Sequence, residues 1–146
     1  MHLVSQKKSG FTLIELLVVI TIIGVLTSLF IANMVSVRER AKDARTKSNL
    51  NELKTALRLY YNDNQNYPDT ATLPAPGNTF QSGTGVVYMQ EVPYYDSYAP
   101  TNNNDGFLVS AELENEADTE ICESWNRCGQ PSCVAGTDTT FYMCAD

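Results

Sequence analysis

Histidine is almost missing from this chain: the single one, His2, stands at the extreme N-terminus. Metal centres and general-base chemistry lean on histidine, and no nucleophile–base or paired-carboxylate motif replaces it, so the sequence does not read as an enzyme. Charge is missing from Leu16 to Val37, where 22 consecutive residues carry none. Bases are scarce after Arg58, with Arg127 alone against thirteen Asp and Glu. Phosphate contacts need Lys and Arg, so this acidic half is a poor fit to nucleic acid. Proline is missing before Pro68, which leaves nothing to break a helix over the first third of the chain.

The uncharged run is itself informative. As a helix it extends about 33 Å, against about 30 Å for the hydrocarbon core of a bilayer. After Val37 the pattern becomes striped: Val37, Ala41, Ala44, Leu50, Leu53, Leu57 and Tyr60 recur mostly every three or four residues. That spacing gives an amphipathic helix face. One helix is therefore predicted to run to Tyr61 or Asn62, a rod of about 75 Å. Asn62–Asn66 stops it, and Tyr67-Pro68 forces extended backbone.

At the N-terminus, Lys7-Lys8-Ser9-Gly10 precedes Phe11-Thr12-Leu13-Ile14-Glu15 and then Leu16-Leu17-Val18-Val19-Ile20. A secretory signal places its small cleavage residue after the apolar run; here Gly10 comes before it. This string resembles the processing site of type IV prepilins and type II secretion pseudopilins. The resemblance implies cleavage after Gly10 by a membrane prepilin peptidase and methylation of the new N-terminus at Phe11. It also implies a single-pass protein of the inner membrane that passes, through an inner-membrane assembly platform, into an extracytoplasmic or cell-surface filament. Its partners there are identical or related pilin subunits. Relatives often carry proline near Ala32, where the helix melts in assembled pili; this chain has Ala32.

Glu15 has two readings. Thr12 and Glu15 fit the T-x-x-E capping box. An ionisable group at the start of an apolar span is also costly and calls for a partner. The amine created at Phe11 by cleavage, on a neighbouring chain, supplies one. The charge count on orientation conflicts with the family. Lys7 and Lys8 mark the leader as cytoplasmic, yet Arg38, Arg40, Lys42, Arg45 and Lys47 follow the span directly.

The remainder reads as a small head. Asp69–Pro100 looks irregular, with a short strand at Val86–Met89 and clustered Tyr94, Tyr95 and Tyr98 serving either subunit contact or closure of the head. Asn102–Gly106 signals a turn before a half-buried strand, Phe107–Leu113, and Phe141–Cys144 reads as an edge strand. The predicted class is α+β and pilin-like: one long N-terminal helix on a small antiparallel sheet, with a disulfide-rich C-terminal loop. The segments are a 1–10 leader, an 11–37 transmembrane or filament-core helix, its amphipathic continuation 38–62, and a head over 63–146.

Cys122, Cys128, Cys133 and Cys144 are separated by five, four and ten residues, spacing that suits disulfides in an oxidising compartment better than zinc. Three pairings are open, with Cys128–Cys133 across the Gly129–Ser132 turn and Cys122–Cys144 preferred. Glu112, Glu114, Glu116, Asp118 and Glu120 alternate, which gives a solvated face or a calcium site. The resemblance implies calcium in the head's loops for major secretion pseudopilins, but this stretch does not match that loop. No D-x-[DN]-x-[DN]-G pattern occurs either, so calcium at Asp105, Glu116, Asp118 and Glu120 is a weak option. No other cofactor is expected. The functional reading is a structural subunit of a type IV pilus-like filament. The alternatives are a major-type pseudopilin of a type II secretion or competence system, and a signal-anchored membrane protein with a small disulfide-rich binding head.

Overall fold

The computed structural model describes residues 10–145, with backbone only at residues 29 and 31–33. The chain divides into two units that meet between Val37 and Arg38. A single α-helix, α1, Leu13–Asn64, contributes to both. Its backbone stays helical through position 32, consistent with the lack of proline there. Gln65, at φ 59°, takes the left-handed conformation that ends the helix.

In the first unit the large apolar side chains are exposed among the described residues. Those from Leu13 to Leu26 that are large and apolar are all between 46% and 82% exposed. The polar residues of this stretch turn inward on the helix backbone: Thr21, Thr27 and Ser28 donate to the carbonyls of Val18, Ile23 and Val25. Such back-bonding leaves no side-chain hydroxyl asking for water. Among the described residues no helix is long and apolar enough to cross a membrane. The part of the uncharged run that precedes residue 29, Leu16–Ser28, is thirteen residues, short of the roughly 20 a span needs.

The second unit is a small α+β head built around the end of α1. Two short strands, β1 (Phe80–Gln81) and β2 (Val87–Met89), pair antiparallel. A second antiparallel sheet holds β3 (Ser97–Thr101), β4 (Gly106–Glu112) and β5 (Thr140–Cys144) with β4 in the centre. Between β4 and β5 lies a short helix, α2, Glu120–Arg127. The core joins Leu50, Leu53, Ala56 and Leu57 of α1 to Phe107, Val109 and Ala111 of β4, Phe141 and Met143 of β5, and Phe80 and Val92. Tyr60 stacks on Phe80, with ring centroids 5.4 Å apart, and closes the side toward the small sheet.

Several sequence expectations need correction here. Val37, Ala41 and Ala44 were placed on the packed stripe but are exposed. The stripe buried by the head starts at Asp43 and continues through Leu50, Leu53 and Leu57. The strand before the last is not half-buried: β4, the central strand, is buried at Gly106, Phe107 and Val109–Ala111 and partly buried at Leu108. Its approach is set by Asn102, Asn103 and Asn104, all left-handed, with φ of 50°, 58° and 68°. Asparagine tolerates that region better than most residues. The turn is anchored where Tyr67 N donates to the Asn104 carbonyl at 2.7 Å. Of the three clustered tyrosines, Tyr98 is buried with its hydroxyl on the Pro68 carbonyl, Tyr95 is half-buried, and Tyr94 alone is exposed. Burial pushes the Tyr98 phenol well above its ordinary value.

Both disulfides form, but not in the preferred pairing. The bonds are Cys122–Cys133 and Cys128–Cys144, with Cα separations of 5.4 and 5.7 Å. The reason is α2. As helix residues, positions 122 and 128 lie about 240° apart around the axis and face different neighbours. Cys128 caps the helix beside the end of β5, while Cys122 faces the returning loop that carries Cys133.

Candidate functional site

The N-terminal constellation lies at the start of α1. Phe11 is 84% exposed, the most open of the large apolar side chains among the described residues. Glu15 Oε2 accepts from the backbone N–H of Thr12 at 2.8 Å and from its hydroxyl at 2.7 Å. Thr12 Oγ1 in turn receives the Glu15 N–H at 3.3 Å. This is the reciprocal capping box that the spacing of Thr12 and Glu15 predicts. It satisfies amides that the first helical turn leaves open. Among the described residues Glu15 has these hydrogen-bond partners and no cationic one. Leu16, Leu17, Val18 and Val19 then continue the exposed apolar surface. Lys7, Lys8 and the rest of the leader before Gly10 lie outside the described residues.

A second constellation joins α1 to the acidic segment after β4. Asp43, only 3% exposed, accepts the backbone N–H groups of Glu114 at 2.8 Å and Asn115 at 2.9 Å. Lys47 lies between Asp118 and Glu120, at 2.6 and 2.9 Å. Its ammonium is also 5.5 Å from the centre of the Phe141 ring, within cation–π range. Lys42 pairs with Glu114 nearer the surface. Burial, the largest single influence, lowers the Lys47 pKa, but the hydrogen bonds and charges of Asp118 and Glu120 outweigh it and leave it raised. Burial likewise pushes Asp118 up, and the Lys47 hydrogen bond, the Glu120 N–H and the Lys47 charge together bring it below its ordinary value.

The acids considered for calcium are thus dispersed or already matched. Asp118 and Glu120 face Lys47, Glu116 is exposed, and Asp105 sits elsewhere as acceptor for the Tyr61 hydroxyl at 2.6 Å. Among the described residues no three His, Cys, Asp or Glu converge to hold a metal ion. The residue missed from sequence is Asp43. It stands seven residues before Leu50, on the same helix face, and that spacing was the available signal.

A long N-terminal helix, exposed and apolar at its start, that ends in a small antiparallel head defines a pilin-like structural subunit. Comparisons place it further. Residues 5–31 match the model described as the prokaryotic N-terminal methylation motif, and residues 33–105 match that of type II secretion system protein G. The type II secretion system core protein G of Aeromonas hydrophila is 30% identical over 83% of this chain and 94% of its own length. That of Escherichia coli K12 is 34% identical over 71% of this chain. The type IV major pilin protein PilA of Myxococcus xanthus is 29% identical over 93% of this chain. The aligned regions span just under two thirds of the E. coli and M. xanthus proteins, 63% and 65%. No solved structure matches significantly. The chain belongs to the type II secretion protein G family, within the pilins and pseudopilins that share the N-terminal methylation motif. These are structural subunits rather than enzymes, and they form filaments of related subunits.

Proposed function

We propose that this chain is the subunit of a type IV pilus-like filament, cut after Gly10 by a prepilin peptidase and methylated at Phe11. The mature helix 11–37 holds the subunit in the inner membrane as a single pass. An assembly platform then lifts it into the filament, where that helix forms the core, residues 38–62 carry the head, and 63–146 face outward. The observation that carries this reading is Glu15. It stands in the first turn of a helix whose large apolar side chains from Leu13 to Leu26 are exposed, and among the described residues its side chain bonds only Thr12. Cleavage supplies an amine at Phe11. In the staggered helices of a polymer, the carboxylate of one subunit meets the amine of the next, an arrangement strongly favoured at low dielectric. Such a contact is heterologous and propagates instead of closing.

The alignment with the M. xanthus pilin, 29% identical over 93% of the chain, supports the pilus reading. That model, and the several relatives named core protein G, favour a second reading, the major-type pseudopilin of a secretion system. Deleting the gene separates the two: loss of surface pili supports the first, and loss of secreted proteins from the medium supports the second. The pairing itself is tested by Glu15→Gln. Processing and protein level are expected to stay near normal while filament yield falls sharply. Normal filament yield from that variant contradicts the pairing.

A further inference from the structure

The positive charge that follows the apolar run is not used up by the head. Lys42 pairs with Glu114 and Lys47 with Asp118 and Glu120. Arg38, Arg40 and Arg45 are exposed, and no ion pair to them forms among the described residues. At about 100° per residue, Arg38 and Arg45 share one side of α1 and Arg40 lies about 200° round from Arg38. The arginines therefore lie on two opposite sides of the helix rather than along one face. They begin at the first residue after Val37, where an uncharged run of membrane length ends. Glu39 and Asp43 are the acids interspersed with them, and Asp43 is held only by neutral backbone amides, so the three arginines leave one net positive charge.

We infer that Arg38, Arg40 and Arg45 form a headgroup collar that binds anionic phospholipid on the head side of the membrane. This rests on the membrane-anchored reading given above. Charge on opposite sides of the helix at the end of an apolar segment suits lipid phosphates on both sides, whereas a single docked protein would ask for a stripe on one face. The same collar resolves the conflict over orientation. These arginines do not mark a cytoplasmic loop; they hold the subunit at the opposite surface, in the pool from which filaments are built. Each Lys or Arg near an anionic surface contributes about 1 kcal/mol, about fivefold in partitioning, and the contribution decays within a Debye length.

The test is competition of the full chain between neutral phosphatidylcholine vesicles and vesicles containing phosphatidylglycerol. The readout is the share of protein in each population after transfer from detergent. The parent chain should favour the anionic vesicles by tenfold or more at low salt, with the preference shrinking as salt rises. The triple variant Arg38→Gln/Arg40→Gln/Arg45→Gln should lose most of that preference while keeping the parent's thermal transition, since all three side chains are exposed. Comparing the two chains cancels any contribution from Lys7 and Lys8. Equal preference in parent and variant overturns the collar. Loss of filament assembly by the variant with its lipid preference intact also overturns it, and assigns the arginines to a neighbouring subunit's acidic head instead. Failure of the parent to enter either vesicle removes the anchored reading and the collar with it, whereas entry without headgroup preference removes the collar alone.

Discussion

Asp43 is buried with both carboxylate oxygens committed to backbone amides of the segment after β4. Hydrogen bonds to a charged acceptor are stronger than neutral ones, and an amide left unpaired in a dry site is costly. Asp43→Ala should therefore destabilise the head by about 3 kcal/mol, read as a lowered midpoint of denaturant unfolding. Lys47 and Asp118 add a pH dependence. Asp118 is depressed below 3.8 in the folded chain, so its contribution is present above the unfolded value and is lost as pH falls through the folded one. Asp69 acts in the same direction, lowered by the Thr72 side-chain and backbone hydrogen bonds. Thermal stability should fall as pH drops below about 4, and more gently in Lys47→Met, whose Asp118 has lost its cationic partner. An unchanged acid slope in that variant would sink the assignment.

Among the elements, the amphipathic end of α1 was the most legible, because Leu50, Leu53 and Leu57 repeat at helical spacing and all become fully buried. Asp43 was not legible in the same way, because an acid ordinarily faces water, although its distance from Leu50 puts it on the buried face. β3 was not foreseen: its sequence Ser97–Thr101 contains Pro100, which counts against a strand except at an edge, and β3 is an edge. α2 was hidden for a different reason. It has only eight residues, and the alternating acids leading into it carry no helical period. With α2 unseen, the cysteine pairing could not be read, since the helix is what turns Cys122 and Cys128 to different sides. Cys128–Cys144 now ties the end of α2 to the end of β5. Replacing both cysteines by serine should cost about 2–4 kcal/mol, measured as a fall in unfolding temperature with the leader and α1 untouched. A smaller loss would mean that the Ser124 and Trp125 hydrogen bonds to β5 already hold α2 in place.

For the whole molecule, the two ends of the chain do different work. The head is stapled and internally matched: buried side-chain polar atoms all have partners among the described residues, and both disulfides close. The N-terminal helix is the reverse, apolar and exposed from Leu13 to Leu26, with one acid held by a single threonine. A surface of that kind is costly in water and has to be covered by lipid or by copies of itself. Membership of the pilin–pseudopilin family fits that need, and the proposed cut at the Gly10–Phe11 junction would prepare the helix for it. The mass of the mature chain, purified from cells with an active prepilin peptidase, tests this most directly. The account predicts loss of residues 1–10 and gain of one methyl group on Phe11; a chain that still begins at Met1 would contradict it.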